Sequence, residues 1–335
     1  MGLQIGDIVP RKGIQISDLR GKTIAIDAFN AIYQFLSSIR QQDGTPLMDN
    51  EKRITSHLSG LFYRNISMMA DGIKLIYVFD GEYNKLKAKT QEKRRDAKDK
   101  AREEFKTALE EEDTEAMGKY AKQLGELDTE KIEESKELLK AMGIAVVQAP
   151  GEGEMQCAEL VKSGEAWAVG SQDYDALVVG GRLIQNLTLA KRRRLPGGSY
   201  VEISPELLEY ERVLADLGID RDQFISLAIL VGTDFNPGGV KGIGPKKAWA
   251  LVKEKKYPTL IFKEMEGRMD FDWQEIFEIF KKPNVRKEKI VFPKIDEEKI
   301  KEILVERHDF SLDRVEKQLG KLKEGKGKAT QQKLF

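Results

Sequence analysis

Short apolar runs of strand length recur through the first half of the chain, and stretches of helical spacing separate them. Four runs are predicted to be buried strands, at residues 22–27, 73–79, 144–147 and 166–170. Helices are predicted between them, beginning with one that follows Asp27 and continues through Ile39. Strands that alternate with helices are typical of a parallel sheet, so the expected fold class is α/β, with a mainly parallel central sheet flanked by helices.

The apolar spacing becomes helical from residue 204 onward. Six helices are predicted there, at residues 205–217, 221–231, 245–254, 272–281, 296–308 and 311–324. A long insertion at residues 86–142 separates the second and third strands, and its first part is nearly all polar.

The chain is therefore expected to consist of an α/β core with an inserted helical arch, a helical C-terminal region and a tail. The tail is rich in Lys and Gly and has no packing pattern, so it is expected to be flexible. The predicted boundaries are residues 1–203 for the core, about 85–130 for the arch, 204–324 for the helical region and 325–335 for the tail.

Composition argues against several classes of protein. A single cysteine, Cys157, excludes a disulfide framework, and its place in a helical apolar pattern indicates core packing. With only His57 and His308, Ser–His catalysis and His-rich zinc sites are poorly supported. No apolar run approaches the length of a membrane span, and no signal peptide is expected.

Acidic residues follow apolar runs at five separate places. The binding crevice of an open α/β sheet lies outside the carboxyl ends of its parallel strands, so these acids are expected to converge there. Crowded carboxylates resist ionising together, and a hard cation with oxygen ligands relieves that repulsion. The sequence therefore predicts a Mg²⁺ site. Its candidate ligands are Asp27, Asp80, Glu152, Glu154, Asp173, Asp175 and Asp234.

Each acid has a simpler interpretation when it is taken alone. An Asp after a strand often only caps the next helix or forms a turn, because its side chain accepts from nearby backbone N–H groups. Capping alone does not account for two separated doublets with i, i+2 spacing together with three single acids, so the set favours a metal site.

Two segments concentrate positive charge although the 56 Lys and Arg of the whole chain balance its 56 Asp and Glu. Residues 85–106 contain ten Lys or Arg against five Asp or Glu, which also fits a solvated helix with i, i+4 ion pairs. The turn that contains Gly242 and Gly244 leads into a helix beside Lys246 and Lys247. Free N–H groups, the helix dipole and two ammonium groups favour phosphate, although the same motif alone is often a plain turn.

The stretch KRRR at residues 191–194 is a basic loop. It is either a surface feature that aids solubility or a second phosphate contact.

Six motifs occur in a characteristic order and spacing: IAIDAFNAIYQFL, GIKLIYVFDG, APGEGEMQCAEL, VGSQDYDAL, GTDFN and GVKGIGPKKA. As a set they resemble the archaeal flap endonucleases of the structure-specific 5′-nuclease superfamily, over nearly the whole chain. The resemblance implies a nuclease that hydrolyses phosphodiester bonds at 5′ flaps of branched DNA in replication and repair. It also implies two divalent ions, Mg²⁺ with Mn²⁺ as a substitute.

The resemblance assigns a role to each candidate residue. One metal region would use Asp27, Asp80, Glu152 and Glu154, and the other would use Asp173, Asp175 and Asp234. Lys87 and Arg94 match the basic pair of the arch and would act in catalysis.

The resemblance also implies a set of DNA contacts. Tyr33 matches the aromatic residue on which a base stacks, the alternative being a core tyrosine, and Thr55 lies where the family contacts the 3′ flap. Residues 46–48 match the loop that separates the duplexes. The glycine-rich turn at residues 239–244 matches the helix–two-turn–helix element, which in relatives holds K⁺ on backbone carbonyls.

The C-terminal tail matches half of the family's sliding-clamp box. Gln331 and Leu334 fit its first half, but the paired aromatic residues are incomplete because the sequence stops at Phe335. The remaining implications are a clamp partner of the PCNA type, a monomer, no membrane, and a cytoplasmic place with the chromosome of an archaeal cell. A second departure is the small size of Ala176, Val178 and Val179 beside the second acidic doublet, which affects packing.

Two rival functions remain open at the level of sequence. A 5′→3′ exonuclease or a bubble-cutting enzyme of the same superfamily would share the acids and the basic elements. A branched-DNA scaffold without catalytic activity would keep the basic elements and lose carboxylates, whereas all seven acids are present here.

Overall fold

A computed structural model describes residues 3–41, 43–81, 86, 128–189, 192–194 and 200–331, with the backbone alone for residues 192–194, 200 and 324–331. Most of the arch, including Lys87 and Arg94, and the C-terminal Leu334 lie outside the described residues.

A seven-stranded sheet organises the core. Its spatial order is β1-β9-β6-β5-β2-β3-β4, and the five strands from β6 to β4 run parallel. The other two, β9 and β1, complete one edge in antiparallel register. The strand bounds are β1 Lys12–Gly13, β2 Thr23–Asp27, β3 Lys74–Phe79, β4 Ala145–Gln148, β5 Ala168–Gly170, β6 Leu183–Gln185 and β9 Glu206–Leu208. A separate hairpin joins β7 Arg192–Arg194 to β8 Tyr200–Glu202. The predicted fold class is confirmed.

Strand β2 lies inside the sheet and is hydrogen-bonded to β3 on one side and β5 on the other. Ile24 and Ile26 point into one apolar cluster, and Ala25 points into the other. Helices cover both faces of the sheet, which explains why β2 is a continuous apolar run and not an alternating one. Because β2, β3 and β5 are parallel, their carboxyl ends open on the same edge.

The helices divide between the two faces of the sheet and the C-terminal region. Their bounds are α1 Ala28–Ser38, α2 Ser56–Ala70, α3 Thr129–Ala141, α4 Gly153–Lys162, α5 Asp175–Val178, α6 Tyr210–Leu217, α7 Arg221–Val231, α8 Pro245–Lys255, α9 Pro258–Lys263, α10 Trp273–Lys281, α11 Glu297–Lys301 and α12 Leu312–Gln331. A 3₁₀ turn covers Ile16–Leu19, and a π turn covers Glu302–Glu306. None of the helices in the described part of the chain combines the length and apolarity needed to cross a membrane.

Several sequence-based assignments are wrong. Residues 192–194, expected to lie in a basic loop, form strand β7, and strand β6 and helix α9 were not predicted. Residues 205–217 do not form one helix, because β9 precedes α6 and pairs with β6. Two apolar residues, at positions 207–208, are too few to show a helical or strand spacing. They form a strand because pairing with β6 covers the edge of the sheet. In addition, α12 continues to Gln331, where an irregular tail was expected from residue 325.

His308 joins three segments that are distant in sequence. Its buried ring lies just before α12, with Nδ1 2.9 Å from Asp49 Oδ2 and Nε2 2.7 Å from Glu134 Oε1. Burial alone lowers the imidazole pKa, but hydrogen bonds to Glu134 and Asp49 outweigh it, so the pKa of His308 lies above its ordinary value. The charged groups facing this site also include Arg53, whose guanidinium donates to Asp49 at 2.7 Å. His57 stays neutral nearby, because burial lowers its pKa to about 3.

We expect stability to fall as the pH rises through the elevated pKa of His308. The fold favours the imidazolium, so its contribution is complete below the ordinary pKa of 6.5 and is lost above the folded-state pKa. Burial raises the pKa of Asp49, but hydrogen bonds from Arg53 and His308 more than offset this, so its pKa lies below the ordinary value. The stability that the Asp49 carboxylate contributes is therefore lost only when the pH falls through this lowered pKa.

The measurement is the melting temperature of the chain and of His308→Gln from about pH 6 to about pH 9, which brackets the ordinary histidine range. The variant has no group at this position that titrates in that range, so its profile should be flatter than that of the wild type. Parallel profiles would show that the ring is not protonated in the fold.

Candidate active site

Asp27 is the last residue of β2 and the N-cap of α1. Its Oδ1 accepts from the Asn30 backbone N–H at 3.3 Å, so the capping interpretation holds. The carboxyl group is also buried among other acids. Burial raises its pKa well above the ordinary value, and the charges of Asp80 and Asp173 raise it further. Asp27 therefore has a role in local structure and a place in an acidic cluster.

Asp80 follows β3 and contacts the start of α4. Its Oδ1 accepts from the Gly153 backbone N–H at 2.6 Å, where the positive end of the helix dipole favours a carboxylate. A Cβ at Gly153 would lie 2.7 Å from that oxygen, so only glycine allows this approach. Gly81 donates to the carbonyl of Gly151 at 2.7 Å, and a Cβ at Gly81 would lie 2.1 Å from a backbone oxygen. Gly153 is therefore required by the close approach of the Asp80 carboxylate, and Gly81 by the close approach of a backbone carbonyl.

Glu154 lies in the first turn of α4 and accepts a short hydrogen bond from the hydroxyl of Ser171. Burial raises the pKa of Glu154 well above its ordinary value, and the neighbouring charges of Asp173, Asp27 and Asp175 act in the same direction. The doublet after β5 therefore lies close to Glu154.

Asp173 lies in the turn between β5 and α5, and Asp175 follows at the start of α5. Asn30 Nδ2 donates to Asp173 Oδ2 at 2.9 Å, and the Asp173 backbone N–H donates to Ser171 Oγ at 3.2 Å. Asp175 is the first residue of α5 and is buried. The structure thus brings together five of the seven predicted acids from four segments: Asp27, Asp80, Glu154, Asp173 and Asp175.

The electrostatic character of this acidic edge is strongly negative. Every charged neighbour that shifts the pKa of Asp27 or Glu154 is itself an acid. The same field reaches Cys157 behind the edge, where burial and then the charges of Asp27 and Glu154 raise the thiol pKa. Cys157 is fully buried and is a neutral core residue, as its sequence pattern predicted. A cation at the edge would attract these carboxylates and lower their pKa values, because it favours the ionised form.

The donor set fits a hard divalent cation. Carboxylate oxygens dominate it, and Mg²⁺ commonly completes its shell with water when only one or two protein oxygens bind directly. Within the described ranges, no three His, Cys, Asp or Glu side chains are placed close enough together to hold a metal ion as they stand. Several carboxylate oxygens instead accept from Gly153, Asn30 and Ser171. The residues therefore fit the ion in charge and donor type, and water would supply the rest of its shell.

Glu152 and Asp234 lie on elements that adjoin the other five acids. Glu152 is the N-cap residue of α4, two residues before Glu154. Asp234 follows α7, which packs against α5. The loop that holds Asp234 is fixed by Asn236, whose Oδ1 accepts from both the backbone and the hydroxyl of Thr233, at 3.1 and 2.8 Å. Their membership of the metal site stays a prediction.

Tyr33 and Thr55 differ in their access to solvent. Tyr33 is 38% exposed on α1, and its ring centroid lies 6.5 Å from that of Phe29. The core alternative therefore does not hold for Tyr33, and the ring is accessible. Thr55 is the N-cap residue of α2 with a buried side chain, and its backbone N–H donates to the carbonyl of Leu47 at 2.8 Å. A direct side-chain contact by Thr55 would require its surroundings to open.

The predicted phosphate cradle lies between α7 and α8. Gly242 has φ +79°, a left-handed conformation that favours glycine, and Gly244 is the N-cap residue of α8. Lys246 and Lys247 are exposed in the first turn of α8, and Lys247 Nζ lies 3.4 Å from the carbonyl oxygen of Gly242. The arrangement presents two ammonium groups beside a helix N-terminus. Gln331, predicted for clamp binding, ends α12, and only its backbone is described.

Two residues at the site were missed in the sequence. Asn30 and Ser171 are neutral and make hydrogen bonds to the acids. The available signal for Asn30 was its spacing of three from Asp27, which places it in the first turn of the capped helix. Ser171 lies two residues before the second doublet, but a serine after a strand is too common to identify by itself.

Comparison with known proteins gives consistent matches. The XPG N-terminal domain matches residues 4–101, and the XPG I-region matches residues 143–234. Flap endonuclease 1 of Pyrococcus furiosus is 51% identical over 326 residues, which cover 96% of this chain and 95% of that protein. Flap endonuclease 1 of Aeropyrum pernix is 47% identical over 342 residues, covering 100% of this chain and 97% of that protein.

A solved structure is similar along nearly its whole length. Flap endonuclease-1 from Methanococcus jannaschii matches with a TM-score of 0.77 and 43% identity, over 97% of this chain and 98% of that chain.

We expect Gly153→Ala to weaken divalent cation binding by about tenfold or more, because the new methyl group displaces the carboxylate of Asp80 from the start of α4. Calorimetric titration with Mn²⁺ measures the change. Gly320→Ala is the matched control, since a Cβ at Gly320 meets nothing within 4 Å. Equal affinities for the two variants would show that the packing of Asp80 on α4 does not matter for cation binding.

Proposed function

The chain belongs to the flap endonuclease 1 family, and we propose that its acidic edge holds two Mg²⁺ ions at which 5′ flaps of branched DNA are hydrolysed. The resemblance seen in the six motifs is confirmed, and the chain is a structure-specific 5′-flap endonuclease that hydrolyses phosphodiester bonds in DNA replication and repair. The observation that supports the metal proposal best is the burial of mutually repelling carboxylates at the carboxyl ends of β2, β3 and β5.

When bound, the two ions would lower the pKa of a water for in-line attack and would neutralise negative charge on the leaving oxygen. The chain contributes the oxygen ligands. Asp27, Asp80, Glu152 and Glu154 would hold one ion, and Asp173, Asp175 and Asp234 the other. Mn²⁺ substitutes for Mg²⁺ because it accepts the same carboxylate and water ligands. The product carries a 5′ phosphate.

Other residues position the DNA. The exposed ring of Tyr33 offers a stacking surface for an unpaired base near the site. Lys246 and Lys247 contact the duplex backbone beside Gly242 and Gly244, and Thr55 belongs to the 3′-flap contact. Lys87 and Arg94 lie outside the described residues. Resemblance alone supports their proposed role, which is to stabilise negative charge on the scissile phosphate.

Three further parts of the proposal rest on resemblance. The turn that includes Gly239 and Val240 binds K⁺ through backbone carbonyls. Gln331 and Leu334 contact a sliding clamp of the PCNA type. The protein acts as a monomer in the cytoplasm, with the chromosome.

One assay tests the proposed substrate and the metal requirement together. Cleavage of a double-flap DNA is compared with cleavage of a nicked duplex and a bubble, with Mg²⁺ and with EDTA. We expect the double-flap DNA to be cut at the base of its 5′ flap in Mg²⁺ and to stay uncut in EDTA. Preferential cutting of the bubble would favour the rival nuclease, and cutting in EDTA would overturn the metal proposal.

We expect Asp173→Ala and Asp175→Ala each to lower the cleavage rate by a factor of about 100 or more, because each removes a carboxylate that would face the ions. Affinity for flap DNA should be kept, since the phosphate contacts remain. Single-turnover cleavage and DNA affinity are measured in parallel. Asp216→Ala is the control, because its exposed carboxylate pairs with Arg212 on α6. Near-normal cleavage by either site variant would contradict the assignment.

We expect the double variant Lys246→Ala with Lys247→Ala to weaken binding to all branched duplexes and to reduce the salt dependence. Each lost phosphate contact lowers the slope of log affinity against log salt by about 0.9. Lys287→Ala with Lys289→Ala removes the same charge from an exposed segment elsewhere and serves as the control. If the two slopes stay equal, α8 does not contact DNA.

A further inference from the structure

Asn30 makes three hydrogen bonds that connect two separate parts of the acidic edge. Its backbone N–H donates to Asp27 Oδ1 at 3.3 Å, and its side-chain Nδ2 donates to Asp173 Oδ2 at 2.9 Å. Its side-chain Oδ1 accepts from the backbone N–H of Gln172 at 3.3 Å. One neutral residue of α1 thus contacts the acid that ends β2 and the turn that follows β5.

Ser171 makes a similar connection on the other side of Asp173. Its hydroxyl donates to Glu154 and accepts from the backbone N–H of Asp173 at 3.2 Å. The side chain of Ser171 is buried. Together Asn30 and Ser171 tie three carboxylates, from β2, α4 and the turn after β5, into one hydrogen-bonded chain.

The turn at residues 171–174 is fixed from both sides. Asn30 contacts it from α1, at one backbone N–H and one carboxylate oxygen. Gln185, at the end of β6, donates to the carbonyl of Gln172 at 2.7 Å. A side-chain amide suits this position because it donates and accepts without adding a negative charge between two acids. An apolar side chain of the same size would leave the acids to separate.

We propose that Asn30, assisted by Ser171, is a positioning residue that sets the spacing between the carboxylates of the two proposed metal regions. The inference rests on the proposed function of the acidic edge as a cation site. Neither residue contacts the reacting atoms. Each acts through the acid to which it donates, as hydrogen-bonded partners of metal ligands commonly do, and loss of such partners typically costs about 10–100-fold in metal affinity or activity.

The first test is the affinity for Mn²⁺ of the DNA-free chain, measured by calorimetry for the wild type, Asn30→Leu and Gln34→Leu. Gln34 lies on the same helix and also has an amide, but the oxygen of that amide accepts from Thr188 at 2.8 Å. We expect Asn30→Leu to bind Mn²⁺ about 10–100-fold more weakly and Gln34→Leu to bind as the wild type does. Equal binding by all three overturns the inference.

A double-variant cycle tests whether Asn30 acts through Asp173. In the background of Asp173→Ala, the further change Asn30→Leu should cost little additional Mn²⁺ affinity, because the acid that it positions is already absent. Additive losses would show that Asn30 stabilises α1 in general, which would overturn the positioning role.

Ser171 provides an independent test in case Asn30→Leu does not fold, which the melting temperature in EDTA reveals. Ser171→Ala should weaken Mn²⁺ binding, and Ser171→Thr should restore it because threonine keeps the hydroxyl. A general packing defect would not be repaired in this way, so equal losses in both variants would contradict the inference.

Kinetics separates positioning from DNA binding. For Asn30→Leu we expect a higher Mg²⁺ concentration at half-maximal rate, with flap-DNA affinity in EDTA unchanged. If the wild type itself binds no Mn²⁺, the proposed function fails and the inference fails with it. If the wild type binds and the variants bind equally well, only the inference fails.

Discussion

Repulsion between buried carboxylates is the constraint around which the core is built. Burial raises the proton affinity of Asp27 and Glu154, and the charges of the acids at the end of β3 and after β5 raise it further. An arrangement of this kind costs stability, so packing elsewhere must hold it in place. Two apolar clusters on opposite faces of the sheet provide that support, together with the close packing of Asp80 against Gly153 at the start of α4.

Much of the core was predictable because its pattern is strong. The parallel strands are short apolar runs, and acids directly after such runs must meet at one edge of the sheet. Strand β9 was missed because the pair Leu207–Leu208 carries no period and gains its partner only when the edge of β6 is nearby. The reach of α12 to Gln331 was missed because low apolar content made the segment look irregular.

The candidate site was predictable in its acids but not in its hydrogen bonds. The positions of Asp27 and Asp173 follow from the strand order. The bridge between them does not, because Asn30 uses its backbone N–H for Asp27 and its side-chain amide for Asp173. Which oxygen accepts from which donor depends on the angle between α1 and the turn after β5. That angle is set by tertiary packing and cannot be predicted from a local sequence pattern.

The joint between α7 and the following turn limits how the protein can move. The N–H of Val240 donates to the carbonyl of Leu230 at 2.9 Å, and a Cβ at Gly239 would lie 2.3 Å from that same oxygen. The turn is therefore pressed against the helix end and cannot swing independently. If α8 binds a duplex, this joint keeps the distance between the DNA-binding turn and the acidic edge constant. The place of a cut would then be set by distance along the DNA, whatever its base sequence.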